Sequence, residues 1–571
     1  KVKAPTLFFE KTGWREVAVS SPAVQARAPG ESHTPRAAAW IGENSRLWIA
    51  LSVLALSWLC AVLTEHIRRP WVNLVDFNGA VWSQAAHNIL RAGLVRTEGA
   101  STGFYFGPLP IPPAGYYLHH PPLLHLALTW MFAIFGEHEW VARLLPIACS
   151  LASGVLLWLL VRSCAGTRAA AFSLAVFACL PMELRYGSMV NFEPVVLTFV
   201  LAALCCLRQW HVTGRAQWKA LAAACMMTGL WVDWAMYIFA LILCIYWFAR
   251  PRLKMRGMAW LLTAFMLVSG ALFLLRIEML RPDALQSLSD AFFRRIGSKP
   301  ESHIHFTELQ WVEKIAHILF IHFLATGWAL AFAGGAIIRR RKSAGDADLA
   351  WLGWACAAMG AMDFVFLCVF QDESYIHQYI GYYLVAPVAA LGGVALDEMV
   401  AWLQARIARR SPWGFAGACI PCLALIIFCG WTGIEQRNAL SAQFLVLDYT
   451  TPEPPDLIPE LGETIRENFP PGTNILCNFQ PDYGPQLEYY AQRNLLNNVC
   501  EYRFWRQFLG NPKLQNPGGV IWMNTQGAGE IVANLPPGDR RFVRVGNFSF
   551  CIWKPAANPS ASVKPPKVGR S

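Results

Sequence analysis

Residues 140–161 read WVARLLPIACSLASGVLLWLLV. An unbroken apolar run of this length matches the ~20 residues that a helix needs to cross a ~30 Å hydrocarbon core. Its apolar residues are continuous rather than alternating, and lipid accepts only backbones that satisfy their own hydrogen bonds, so the run reads as a helix. Arg162 and Arg168 close it. Similar runs lie at 47–63 and 169–181, and others centre on 194–207, 219–231, 234–249, 258–275, 312–338, 349–370, 379–396 and 414–433. The composition agrees: 55% of the 571 residues are hydrophobic and only 15% are charged. A soluble domain carries about 25% charged residues. The chain reads as a polytopic membrane protein.

Orientation follows from charge. Arg162 and Arg168; Arg208, Arg215 and Lys219; Arg250, Arg252, Lys254 and Arg256; Arg339, Arg340, Arg341 and Lys342; and Arg406, Arg409 and Arg410 close alternate loops. The positive-inside rule places all five groups in the cytoplasm. The pattern holds if 121–135, short and headed by two prolines, lies at the interface and does not cross. The expectation is then about eleven spans with the N-terminus inside and the C-terminus outside. Segments 64–139, 182–193, 276–311 and 372–382 share the outer face. The formal charge of +11 is spread between apolar runs, so it reads as loop charge and not as a nucleic-acid surface.

The flanks differ from this core, which occupies 46–435. Residues 1–45 read as a loose cytoplasmic tail. From about 440 to 555, Pro- and Glu-rich turns, an amphipathic helix near 460–468 and strand-like runs at 474–478, 519–523 and 542–545 predict a small extracytoplasmic α/β domain. Residues 556–571, rich in Pro, Ser and Lys, read as a disordered tail. The 16 cysteines show no zinc spacing, and Cys149, Cys205, Cys206 and Cys422 sit inside apolar runs as packing residues. Cys477, Cys500 and Cys551 fall in the outer domain, where a disulfide is permitted and Cys477–Cys500 is the expected pair.

Chemistry-bearing residues gather in the outer segments. Asp76 lies among apolar neighbours just after the first span, as a general base or as the cap of the next helix. His119 and His120 precede a proline-started helix, as ligands, phosphate donors or a polar helix start. Glu183, Arg185, Tyr186 and Glu193 lie in one short turn, and Glu193 stands before Pro194, where a helix start favours an anion. Asp233 sits between two spans, at a turn or on a polar cavity. His377, Gln378 and Tyr379 stand at the mouth of a span. The loop 276–311 carries Arg281, Arg294, Arg295, Lys299, His303 and His305, which suits an anionic ligand, a phosphate or lipid headgroups.

In this order the pieces resemble the GT-C superfamily of polyprenyl-phosphate-sugar glycosyltransferases, on the branch of protein mannosyltransferases and ArnT-like enzymes. Asp76 carries the resemblance with the helix through Ala85 to Leu90; so do His120-Pro121-Pro122-Leu123 with Ala142 to Pro146, Arg185-Tyr186 with Glu193-Pro194, and His377-Gln378-Tyr379 leading to Pro387. The likeness covers about 47–400. It implies an all-α membrane bundle under long outer loops, with Asp76 and Glu193 as catalytic acids. The donor phosphate would meet His120, Arg185, Tyr186, Arg295, His377, Gln378 and Tyr379, with His119 and Asp233 as further polar residues. Relatives often have Asp where Glu193 stands and Lys in the turn that holds Asp233. The resemblance leaves room for a divalent metal (Mg, Mn or Zn) on Asp76 and Glu193. It implies an inverting transfer to a lipid, glycan or protein acceptor outside a bacterial inner membrane, with membrane lipids as the other partners. A transporter or lipid flippase is the competing class.

Overall fold

The computed structural model describes residues 35–72, 75–102, 105–107, 109–250, 255–297, 305–407, 413–441, 456–477, 484–496, 518–523 and 538–555. The helices are α1 (Pro35–Thr64), α2 (Asp76–Ala92), α3 (Leu94–Thr97), α4 (Leu123–Phe135), α5 (Glu139–Ala165), α6 (Thr167–Phe177), α7 (Pro181–Tyr186), α8 (Phe192–Thr213), α9 (Ala216–Leu230) and α10 (Trp234–Ala249). There follow α11 (Arg256–Leu280), α12 (Ala284–Arg295), α13 (Glu308–Ser343), α14 (Ala347–Val369), α15 (Gln371–Ile376), α16 (Val385–Ile407), α17 (Trp413–Ser441), α18 (Leu457–Asn468) and α19 (Gly484–Ala491). A tight 3-10 turn, Gln378–Leu384, leads into α16.

Among the described residues, eight helices are long and apolar enough to cross a membrane: α1, α5, α8, α11, α13, α14, α16 with its leading turn, and α17. The other three expected runs are the shorter α6, α9 and α10, of 11, 15 and 16 residues. Large apolar side chains on the outside of the bundle, such as Leu54, Leu267, Phe364 and Ile427, are 65% exposed or more. Water would penalise each by about 25 cal/mol per Å² of apolar surface, and lipid does not. The chain is a multi-pass membrane protein.

Two expected spans are broken. The run 169–181 ends as a helix at Phe177, and Pro181 starts the separate helix α7, because proline is suited to a first helical position and pushes the residue before it to extended backbone. Within α13, Leu324 has φ 61°, a left-handed conformation that interrupts the helix. Trp328 donates across this break to the Leu319 carbonyl, at 3.1 Å. Helices α6, α13 and α16 pack closely because of two glycines. A Cβ on Gly334 would lie 2.0 Å from the Leu391 carbonyl oxygen, and one on Gly393 would lie 2.0 Å from Ser173. Small residues that let backbones approach are a standard means of joining helices in lipid.

The C-terminal sheet contains β1 (Asn474–Cys477), β2 (Asn494–Leu496), β3 (Gly519–Met523), β4 (Gly538–Val545) and β5 (Phe548–Pro555), in the order β2-β1-β3-β5-β4. The pairs β1–β2 and β1–β3 are parallel, with Leu476 opposite Val520, and the β3–β5 and β5–β4 pairs are antiparallel. Leu457, Leu461, Ile465 and Phe469 pack against Ile475, Ile521, Phe550 and Ile552. The expected α/β domain is present; α19, β2 and β5 add to its predicted elements. Cys477 on β1 and Cys551 on β5 have β3 between them. Strands two places apart lie roughly 9–10 Å from each other, beyond disulfide reach. The Cys477–Cys500 pairing lies outside the described residues, as do Lys299, His303 and the tail from 556 onward.

The sheet domain is tied to the bundle through α19, which packs on α2. The Trp71 N–H donates to the Tyr490 hydroxyl at 2.7 Å, and that hydroxyl donates to Glu139 at 2.6 Å. Gln84 donates to the Pro485 carbonyl, and the Phe106 N–H donates to Asn494.

Glu488 on α19 is 3% exposed. Burial pushes its carboxyl up to about 8, against the pull of the Leu495 N–H that it accepts. Its ordinary value is near 4.3. The folded chain therefore holds a proton that the unfolded chain releases. The stability this proton supplies is full below about 4.3 and is lost as pH rises through about 8. Labelling of the buried Cys551 thiol under increasing urea measures it: the midpoint falls from pH 5 to pH 9 in the wild type, and Glu488→Gln flattens that fall.

Candidate active site

The segments expected to share one face meet around a cavity of about 660 Å³. Most of its polar residues come from or near element ends. Phe77 and Asn78 open α2, and Tyr117 and His120 come from the loop before α4. Asn191 and Glu193 start α8, and Asp233 caps α10 by accepting from the Ala235 N–H at 3.3 Å. Arg295 ends α12, Glu373 lies on α15, and His377 and Tyr379 follow it. Most of the rest of the wall is apolar, with Ile238, Leu274, Leu288, Phe292 and Phe366 from α10, α11, α12 and α14.

Arg295 is the one Lys or Arg that lines the cavity among the described residues. Its Nε meets Glu373 at 3.2 Å and its Nη2 donates to the Tyr117 hydroxyl at 3.3 Å. A guanidinium has five N–H groups, so this holds its plane and leaves donors over. Burial opposes a charge on Glu373, but Arg295 outweighs it and keeps the carboxyl below its ordinary range. The other Glu373 oxygen lies 3.3 Å from His377, which burial holds below its usual value. Glu193 is 7% exposed, and its Oε2 has no hydrogen-bond partner among the described residues. A buried acceptor in that position is matched to a donor that arrives with a ligand.

His120 and Asp233 form a pair, Nδ1 to Oδ1 at 2.9 Å. The imidazole stacks on Phe192 with centroids 4.6 Å apart and meets the edge of Trp82. Trp82 is fixed in turn by donating to Asn191 at 3.2 Å. His119 points elsewhere, to Ser287 on α12 at 3.1 Å. Burial, then the Arg295 charge, brings His119 down to about 3, so it is neutral.

Asp76 stands behind the wall, and its neighbours Phe77 and Asn78 reach the cavity. One Asp76 oxygen pairs with Arg143 at 2.9 Å and the other accepts from the Val72 N–H at 3.2 Å. Arg185, Tyr186 and Gln378 form a second layer. Arg185 is 7% exposed, its Nε and Nη1 lack partners among the described residues, and it lies over the Tyr186 ring. Tyr186 and His322 both meet the Gln378 side-chain oxygen, at 3.5 and 3.3 Å, and Tyr186 abuts Tyr379. Close by, Tyr382 donates to Glu183 at 2.6 Å, and burial pushes that carboxyl up to about 7.

The residues do not suit a metal between Asp76 and Glu193. Asp76 is committed to a guanidinium and an N–H, and no three His, Cys, Asp or Glu side chains among the described residues converge as ligands. Sequence reasoning did not single out Glu373, Tyr117 or His322. Glu373 had a signal, its i,i+4 spacing to His377 on a helical turn. His322 had none, because the break at Leu324 is invisible in an apolar run.

The dolichyl-phosphate-mannose-protein mannosyltransferase family matches residues 119–276. No curated protein sequence matches the chain. Among solved structures, ArnT from Cupriavidus metallidurans bound to undecaprenyl phosphate is 14% identical, with a TM-score of 0.58, over 90% of this chain and 98% of that one. The archaeal oligosaccharyltransferase AglB from Archaeoglobus fulgidus, in complex with an inhibitory peptide and a dolichol-phosphate, is 14% identical, with a TM-score of 0.53, over 83% of this chain and 69% of that one. A structure of that archaeal enzyme with Zn and sulfate is 16% identical, with a TM-score of 0.54, over 87% of this chain and 72% of that one. The family match is thus confined to 119–276, and the chain as a whole shares the GT-C fold of ArnT and AglB.

Proposed function

We propose that the chain moves a sugar from a polyprenyl-phosphate donor to a hydroxyl of a lipid, glycan or protein acceptor, with inversion, at the outer face of a bacterial inner membrane. The observation that carries this reading is the two-part wall of the cavity: an apolar side from α10, α11, α12 and α14, and a polar end with Arg295, His377, Glu193 and the His120–Asp233 pair. A lipid phosphate has the same division. ArnT holds undecaprenyl phosphate and AglB a dolichol-phosphate in structures of this fold.

In this reading the acceptor oxygen attacks the anomeric carbon in line as the bond from that carbon to the phosphate oxygen breaks. Polyprenyl phosphate leaves with the bonding electrons. Arg295, fixed in place beforehand by Glu373 and Tyr117, stabilises the growing phosphate charge. Glu193 takes a hydrogen bond from a substrate hydroxyl on its open oxygen. The alternating cationic loops support a cytoplasmic N-terminus and a periplasmic sheet domain. Asp76 has an anchoring role, holding the start of α2 against Arg143.

Release of polyprenyl phosphate from radiolabelled polyprenyl-phosphate sugars, with purified protein in lipid and crude envelope acceptors, tests the reading. Acceptor-dependent release by the wild type is expected. Arg295→Met should raise the donor KM at least about tenfold, and Glu193→Gln should lower turnover by a similar factor in folded protein, each factor corresponding to about 1.4 kcal/mol. Folded wild type that releases nothing from any donor sinks the proposal. Asp76→Asn separates anchoring from chemistry. It strands the Arg143 charge in a buried site, a loss of about 3–5 kcal/mol. Its thermal midpoint in detergent should drop, and turnover should fall only in step with folded protein. Full stability with lost turnover would instead make Asp76 a catalytic group.

A further inference from the structure

We infer that His120 is the proton acceptor of the transfer and that Asp233 is its positioning residue. This rests on the transfer reading above. It reverses the role of phosphate donor that the resemblance implies for His120.

Asp233 is 5% exposed, and its two oxygens are occupied by the Ala235 N–H and by His120 Nδ1. A carboxylate accepts hydrogen bonds and does not donate them, so the His120 proton is on Nδ1. Nε2 of the neutral ring then carries a lone pair. That nitrogen has no protein partner among the described residues, and His120 lines the cavity. Phe192 against its face and Trp82 at its edge keep the ring from turning over. The cavity thus meets an acceptor at this point, whereas a phosphate needs a donor. Arg295 supplies donors from α12. Asp76, the other candidate base, has both oxygens engaged behind the wall.

The step balances. The acceptor O–H proton passes to Nε2 as the new bond to the anomeric carbon forms and the carbon–phosphate oxygen bond breaks. The imidazolium formed is paired with Asp233 and then returns its proton to water.

Two measurements on the full-length protein in lipid nanodiscs test this. Diethyl pyrocarbonate, mapped by mass spectrometry, reports a reactive imidazole lone pair without any need for turnover. Wild-type His120 should be carbethoxylated, and Asp233→Asn, whose amide can donate to Nδ1 and reverse the tautomer, should slow this several-fold. In the transfer assay, His120→Gln should lower kcat by about 10²–10⁴-fold with the donor KM unchanged, and Asp233→Asn should lower it by at least about tenfold. A His120→Gln enzyme that keeps kcat and loses donor affinity overturns the assignment in favour of phosphate binding. So does a His120 that resists the reagent in folded wild type, or reacts equally in Asp233→Asn. If no donor is turned over by wild type, the transfer reading falls by itself, and the reagent still decides whether Nε2 presents its lone pair.

Discussion

The guanidinium of Arg143 organises the approach to the cavity. It is buried on α5, pairs with Asp76, donates to the carbonyls of Ile67 and Arg69, and stacks on Trp71 with its carbon 4.1 Å from the ring centre. One side chain thereby fixes the segment between α1 and α2 at four places. Asp76 can be only where Arg143 is, so Phe77, Asn78 and Trp82 enter the cavity at a set height. A buried ion pair adds little net stability, since desolvation offsets most of its attraction, but losing one partner is costly. What such a pair provides here is location.

The same logic recurs across the cavity. Its charged groups are paired across different elements: Arg295 of α12 with Glu373 of α15, and His120 of the first long loop with Asp233 of α10. Each pair joins segments far apart in the chain, and each leaves chosen atoms open to the interior. The cavity is therefore both braced and chemically unfinished. Its unfilled valences are the open oxygen of Glu193, the spare N–H groups of Arg295 and Nε2 of His120, and these are the groups that a sugar phosphate and a hydroxyl together would satisfy.

The helices were legible because a span in lipid must satisfy its own backbone, so hydropathy alone exposes it. The segments that the charge alternation groups on one face also contribute residues to the cavity. The partners were not legible. Asp76 and Arg143 stand 67 residues apart, and His120 and Asp233 stand 113 apart. Nothing local in one sequence announces such contacts. Asp76 read equally as a base or as a helix-start residue, and its burial beside Arg143 is a property of packing. In the sheet domain β5 was missed because its aromatic and apolar residues are broken by Ser549 and end at Lys554-Pro555, and α19 because Gly484 and Pro485 look like a turn. Both are held by neighbours, β5 by pairing with β3 and β4 and α19 by packing on α2.

The tie through Tyr490 has a consequence for biogenesis. The Trp71 N–H that meets this hydroxyl belongs to the stretch fixed by Arg143, and the hydroxyl itself is added more than 400 residues later in synthesis. A ribosome adds about 5–20 residues per second. The early loop thus waits at least about twenty seconds, with its bundle inserted and its last clamp missing. The chamber is then completed from the end of the chain backward. A truncated product, or one whose C-terminal domain has yet to dock, would hold the helices of the bundle without its settled first wall. Docking of that last domain would serve as the step that completes the cavity wall.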